Sequence, residues 1–145
     1  MGSHTTWSGM EILDPEECWA FLTTEKVGRL AVSITDHPDI FPINHIVDRQ
    51  RLLFRSAEGT KLAAAVLGRS VAYEVDGYDP ERRVAWSVVV KGRAEEIELL
   101  DELLHAMDLP LFPWHDGPKH RWVQITPDDV SGRRFHMSER AQTPS

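Results

Sequence analysis

The chain has 145 residues, 41% hydrophobic and 27% charged, which suits one soluble globular domain with a core of its own. Its formal net charge of -7 argues against a nucleic-acid binder, which must neutralise phosphates, and against binding to an anionic membrane surface. No apolar run approaches the ~20 residues of a transmembrane helix, no secretory signal opens the chain, and the single Cys18 excludes an internal disulfide and argues against a cysteine-based zinc site, so a cytoplasmic protein is expected.

Met1 to His4 are set aside as foreign to the fold. Asp14-Pro15-Glu16-Glu17 then supplies a capping aspartate, a proline at the first helical position and a glutamate at the third, which predicts a helix over Pro15 to Thr24. Cys18, Trp19, Phe21 and Leu22 form its apolar stripe, and Cys18 reads as core packing because nothing nearby lowers its pKa. Gly28 to Thr35 alternates strictly, with Gly28, Leu30, Val32 and Ile34 opposite Arg29, Ala31, Ser33 and Thr35, as a half-buried strand does. Asp36-His37-Pro38-Asp39 carries turn chemistry, and Ile40 to Val47 reads as a second strand. Asp48-Arg49-Gln50 connects tightly into a third, Arg51 to Ser56, which predicts an antiparallel hairpin.

Glu58 to Leu67 reads as a short helix stopped by Gly68. Val71 to Asp76 alternates again, after which Gly77-Tyr78-Asp79-Pro80 is expected to turn the chain. Val84 to Glu95 is the longest strand, with Val84, Trp86, Val88, Val90, Gly92 and Ala94 on one face and Ala85, Ser87, Val89, Lys91, Arg93 and Glu95 on the other. Ile97 to Met107 has helical spacing, Pro110 to Lys119 is a proline-rich loop, and Arg121 to Thr126 forms a last strand ending at Pro127. About six strands and three helices, without repeats or a linker, favour a single mainly β domain over residues 1–145, an antiparallel barrel with flexible tails at 1–10 and 136–145.

The corner between the third strand and its following helix carries the sharpest chemical signal. Arg55 ends the strand and Lys61 falls in the first helical turn, where the helix dipole disfavours a cation; together they point to an anion, most simply a phosphate. The plainer reading pairs both with Glu58 or Glu74. His45 alternates with Phe41, Ile43 and Val47 and reads as a satisfied, partly buried histidine. The acidic run Glu74 to Asp79 lacks the full spacing of a calcium loop, and His105, His115, His120 and His136 lack that of a zinc site, so no metal is expected.

Four blocks in order carry a resemblance: Gly28-Arg29-Leu30-Ala31-Val32, Phe41-Pro42-Ile43-Asn44-His45, Phe54-Arg55-Ser56-Ala57-Glu58-Gly59-Thr60-Lys61, and Trp86-Ser87-Val88-Val89-Val90-Lys91-Gly92-Arg93-Ala94-Glu95. From about Ile12 to Phe135 the chain resembles the pyridoxamine 5'-phosphate oxidase-like flavin-binding split-barrel family, most closely its short actinobacterial-type members. The resemblance implies a six-stranded antiparallel split β-barrel of Greek-key type with short helices, and a homodimer with flavin mononucleotide (FMN) at two sites across the interface. It implies that Arg55, Ser56, Thr60 and Lys61 hold the flavin phosphate, that Pro42, Ile43, Asn44 and His45 run along the ring, and that Ser87 stands where the family often places a flavin-contacting amide. Trp114, Trp122, Arg133 and Arg134 are the C-terminal candidates for approaching the cofactor. The fuller enzymes hold pyridoxal phosphate with a C-terminal Arg-x-His segment; this chain is read as lacking it, so pyridoxamine phosphate oxidation is not implied.

No catalytic triad, acid pair or Walker loop stands out, and a flavin removes the need for one because it moves hydride or electrons itself. The leading expectation is therefore an FMN-dependent oxidoreductase, with no catalytic acid or base assigned. A nicotinamide donor or another reductant would reduce the flavin, and a small acceptor such as a quinone or nitroaromatic would then be reduced in turn. Two alternatives stand beside it. One is a deazaflavin-dependent reductase, its anionic tail tracked by Arg29, Arg93 and Arg133; the other is a non-enzymatic flavin- or haem-binding protein. The outward face near Ser87 and Val89 is too apolar for full solvation, which points to burial against a second copy.

Overall fold

The computed structural model describes residues 4–5, 9–56, 61–110 and 121–137. Its elements in order are β1 (His4–Thr5), β2 (Met10–Ile12), α1 (Pro15–Thr24), β3 (Val27–Ile34), β4 (His37–Asn44), β5 (Ile46–Asp48), β6 (Arg51–Ser56), α2 (Lys61–Val66), β7 (Arg69–Asp79), β8 (Val84–Glu96), α3 (Leu100–Met107) and β9 (Arg121–His136). All strand pairs are antiparallel, in the order β1-β2-β9-β8-β7-β3-β4, with β6 bridging β5 and β9. Because β4 runs into β5 through His45, the sheet curls round into a split barrel. β3, β4/β5 and β6 form a meander, and β7 returns beside β3, which is a Greek key.

The six expected strands are the six staves of this barrel, with the second broken at His45 into β4 and β5. β1 and β2 correct the expected N-terminal tail: His4 and Thr5 pair with Ile12 and Glu11, and β2 pairs with the end of β9. Three further expectations are corrected. The first turn is Thr35-Asp36, with positive φ at both residues as a two-residue hairpin of this hand requires, so His37 to Asp39 belong to β4. Pro38 and Pro42 fit there because β4 is an edge in its pairing with β3. Gly77 does not turn the chain but lies within β7, where the Trp86 indole stands 2.7 Å from the place a Cβ would take. Pro127 does not end the last strand: a register shift at Lys91/Gly92 sets Gly92 against Pro127 and Lys91 against Asp129, and β9 continues to His136. This bulge accommodates the residue that has no N–H to give.

The α1 cap forms as the sequence predicts, with the Glu17 amide donating to Asp14 Oδ1 at 2.8 Å. Its buried face, Cys18 and Leu22, closes the barrel end; Cys18 Sγ packs where a side chain at Gly132 would otherwise stand. Burial pushes the Cys18 thiol up, with Asp14 and Glu17 adding to the effect. Leu30, Val32, Phe54, Tyr73, Val75, Val88, Val90 and Ile125 fill the barrel. A second, smaller cluster of Leu53, Ile97, Ala106 and Trp122 lies on the outer side of β6 and β9 under α3. α3 is tied to the β5–β6 hairpin by His105 Nε2 to Asp48 Oδ2 at 3.0 Å and Arg51 to Glu102 at 3.5 Å.

Candidate functional site

Alternation along β6 sends Leu52, Phe54 and Ser56 into the barrel and Arg51, Leu53 and Arg55 outward beneath α3. Arg55 pairs in register with Trp122 of β9, and its guanidinium carbon lies 5.6 Å from the centroid of the Trp122 ring. Its Nε is buried without a hydrogen-bond partner. Arg55 and Lys61 form no ion pair among the described residues; Glu74, one partner proposed for them, bonds Arg29 instead. Ser56 is buried, and Lys61 opens α2 on the exposed side. Thr60, with Ala57 to Gly59, lies outside the described residues. Arg55 as a residue is only partly buried, but an unpartnered buried donor is costly, and this one suits an anionic ligand.

Of the stretch expected to line the ring, Pro42 is exposed whereas Ile43, Asn44 and His45 are buried. The β5–β6 pairing ends at Ile46↔Leu53, so Asn44 and His45 lie just beyond the last paired residues of that hairpin. His45 faces inward. Burial holds its pKa below the ordinary value, so the imidazole is neutral: Nε2–H donates to the Leu22 carbonyl at 2.8 Å, and Nδ1 accepts from the Tyr73 hydroxyl at 2.5 Å. The same hydroxyl lies 3.3 Å from the Ile43 carbonyl, and burial pushes its own pKa up. The His45 amide is also used, donating to Lys26 O. The imidazole therefore fixes the strand from behind and leaves the outer face to other atoms.

Ser87 lies elsewhere. It points outward from β8 opposite Arg133, whereas Arg55 stands opposite Trp122; both partners are on β9, eleven residues apart. At about 3.3 Å per residue that is roughly 36 Å of strand, and somewhat less along its curve. One chain does not bring Ser87 to the Arg55 corner.

Between the two regions, the outer face carries Arg29, whose Nη1 contacts Glu74 at 3.0 Å and Asp76 at 3.2 Å. Asp76 chiefly raises the Arg29 pKa, and burial raises that of Glu74. Among the described residues no group of three or more His, Cys, Asp or Glu gathers in metal-binding geometry. His105 serves Asp48; His115 and His120, like Trp114, lie outside the described residues.

One sequence reading needs correction. Arg134-Phe135-His136 is an Arg-x-His run, but Arg134 is held by Glu17 at 3.0 Å and Glu11 at 3.4 Å, and His136 also bonds Glu11. Both basic groups are engaged within the chain. Sequence reasoning left Trp122 unplaced and did not single out Tyr73; the alternation Trp122-Val123-Gln124-Ile125 carried a signal for the former, while nothing in the sequence links Tyr73 to His45.

The model of the pyridoxamine 5'-phosphate oxidase family matches residues 14–134. An uncharacterised protein of Mycobacterium tuberculosis is 35% identical over 133 residues, covering 88% of this chain and 87% of that protein. The solved structure of an FAD-binding protein from Mycobacterium smegmatis is 37% identical with a TM-score of 0.80, covering 88% of this chain and 99% of that one. A conserved protein of unknown function from Corynebacterium diphtheriae is 37% identical with a TM-score of 0.75, covering 88% and 98%.

Proposed function

The chain belongs to the pyridoxamine 5'-phosphate oxidase-like split-barrel family, and from that premise we propose that it is a flavin-dependent oxidoreductase that works as a homodimer. The observation that carries the reading is the Arg55 corner: a cation packed on Trp122, with its Nε buried and unpartnered. Arg55, Thr60 and Lys61, with Ser56 at the strand end though its side chain turns inward, would hold the phosphate of FMN, and the outer backbone and side chains of Pro42 to Asn44 would lie along its ring. The flavin supplies reversible hydride and electron transfer; the chain supplies binding, orientation and exclusion of water. Tyr73 and His45 keep the ring-lining strand in place from inside the barrel.

The separation of Ser87 from Arg55 supports the dimer. If Ser87 touches a flavin, that flavin belongs to the corner of a second copy. Val89 and Ala85, outward on the same strand, give the face an apolar character suited to burial. Oxidation of pyridoxamine phosphate is not proposed, because Arg134 and His136 are already engaged. Substrates would be small organic molecules, with a nicotinamide as electron donor.

A second reading, FAD in place of FMN, is favoured by the FAD-binding relative from Mycobacterium smegmatis. An absorbance spectrum of untreated protein, followed by mass spectrometry of the ligand released on denaturation, separates FMN from FAD and from a deazaflavin. Arg55→Ala and Lys61→Ala are each expected to weaken flavin binding about ten- to a hundredfold, the worth of one charge-assisted contact. A colourless protein that ignores added flavin in calorimetry overturns the reading, and a tightly held flavin that no donor reduces would make it a binding protein.

A further inference from the structure

Alternation along β8 turns Val84 and Trp86 to the face opposite Ser87 and Val89, the side that α1 covers. Past the last buried row of that face, Val75, Val88 and Gly132, the register sets Gly77, Trp86 and Arg134 abreast, and then Asp79, Val84 and His136. Here, at the end of the barrel remote from Arg55, a cleft of ≈ 560 Å³ opens over Val84, closed on its sides by Phe21 of α1, Arg82 of the β7–β8 turn and Arg134 of β9. It lies across the sheet from the surface that the dimer reading buries.

The walls of the cleft are fixed by their neighbours. The Trp86 indole stands 2.7 Å from the place a Cβ on Gly77 would take, and Phe21 stacks on it with ring centroids 4.0 Å apart. The Arg134 guanidinium carbon stands over the Phe21 ring at 6.0 Å. Glu17 at 3.0 Å and Glu11 at 3.4 Å hold Arg134, and Glu11 also bonds His136, but neither glutamate lines the cleft.

The lining is rich in donors and poor in acceptors. The Trp86 Nε1–H and the Arg82 guanidinium, whose side chain is 84% exposed, donate to no acceptor among the described residues. Asp79 is the one acid of the lining among those residues; its Oδ1 already accepts the amides of Glu81 and Arg82 at 3.0 and 3.2 Å, and its Oδ2 stands 3.8 Å from Arg82 Nε. A carboxylate on the ligand completes such a set, because it only accepts and matches the guanidinium fork. Ring edges and guanidinium groups both carry positive potential, which favours the face of an aromatic ring over an aliphatic chain.

We infer that this cleft binds a small aromatic carboxylate, with its ring on Val84 against Phe21 and Trp86 and its carboxylate on Arg82 and the Trp86 N–H. The site is separate from the flavin corner, and its test does not need a flavin.

The test uses full-length protein as purified, labelled with nitrogen-15, and benzoate as probe. The chain has 5 Trp, and Trp86→Phe identifies the indole N–H signal of Trp86 among them. Benzoate is expected to move that signal saturably in the millimolar range. Acetate, which lacks the ring, and benzyl alcohol, which lacks the charge, should each bind at least about tenfold more weakly. Arg82→Glu reverses the charge at an exposed turn position and should raise the benzoate Kd at least about tenfold, while Val84→Phe fills the floor and should abolish the shift. Lys91→Ala, on the opposite face, should leave the Kd unchanged. An unmoved Trp86 signal at high millimolar benzoate overturns the inference, as does equal binding of acetate or benzyl alcohol, or a Kd unchanged in both Arg82→Glu and Val84→Phe. A shift lost in Arg55→Ala but kept in Arg82→Glu would place the probe at the flavin corner and also overturn it. Benzoate binding that persists in Arg55→Ala upholds the cleft whether or not the protein takes a flavin.

Discussion

Replacing His45 with glutamine isolates one buried titration. In the folded chain the imidazole is neutral because burial, aided by the charge of Lys26, opposes its protonation, even though the Leu22 carbonyl favours the charged form. In the unfolded chain it titrates near the ordinary value of about 6.5. Below that pH the unfolded state takes up a proton that the folded state resists, so stability is complete above about pH 6.5 and falls as the pH drops through it. If the folded imidazole stayed neutral throughout, the loss at pH 5.5 would be about 1.4 kcal/mol, an upper bound for this one group. Glutamine can still donate to Leu22 O and accept from Tyr73, so His45→Gln should cost only about 1 kcal/mol at pH 8. Urea unfolding of both proteins at pH 8 and pH 5.5, flavin-free and at one protein concentration, gives the comparison. The wild type should lose roughly 0.5–1.4 kcal/mol more than the variant between the two pH values, the other histidines among the chain's 7 cancelling in the difference. Equal losses would refute the neutral, buried imidazole and with it the Tyr73–His45–Leu22 lock.

Gly28→Ala should destabilise by about 2 kcal/mol or more in denaturant unfolding, because the new Cβ would stand 2.5 Å from Tyr73 Cζ and 2.7 Å from the Glu74 carbonyl, neither free to move. Val89→Glu sets a carboxylate beside Glu74 on the outward face, and sedimentation should show the dimer dissociating at concentrations at least a hundredfold higher than for wild type. An unchanged dimer would place the interface elsewhere. The Cys18 thiol, raised by burial, should react with a disulfide reagent at pH 8 far more slowly in the native protein than in urea, and equal rates would contradict its packing against Gly132.

The local elements were largely legible because their signals lie within a few residues. The Asp14-Pro15-Glu17 cap fixes α1, the alternation of Val84 to Glu95 fixes β8, and Arg49 and Gln50, both at positive φ, make the expected tight hairpin. What failed was punctuation. Gly77 and Pro127 read as stops, yet Gly77 makes room for Trp86 and Pro127 sits at a bulge, and each choice depends on a neighbour on another strand. The site divided in the same way. Arg55 and Lys61 were visible as cations beside a helix start, but the indole of Trp122 under Arg55 comes from a residue 67 positions on, 122 less 55.

By itself, then, the sequence determined which residues alternate, which cap, which turn, and which family the ordered blocks belong to, since those properties are carried by composition and short spacing. Only the tertiary structure decided which face each strand turns outward in company with others. It turned His45 inward onto Tyr73, set the Arg55 corner and Ser87 at opposite reaches of β9, and aligned Gly77, Trp86 and Arg134 across three strands. Register across a curled sheet is fixed by packing of the whole barrel, and no window of sequence contains it.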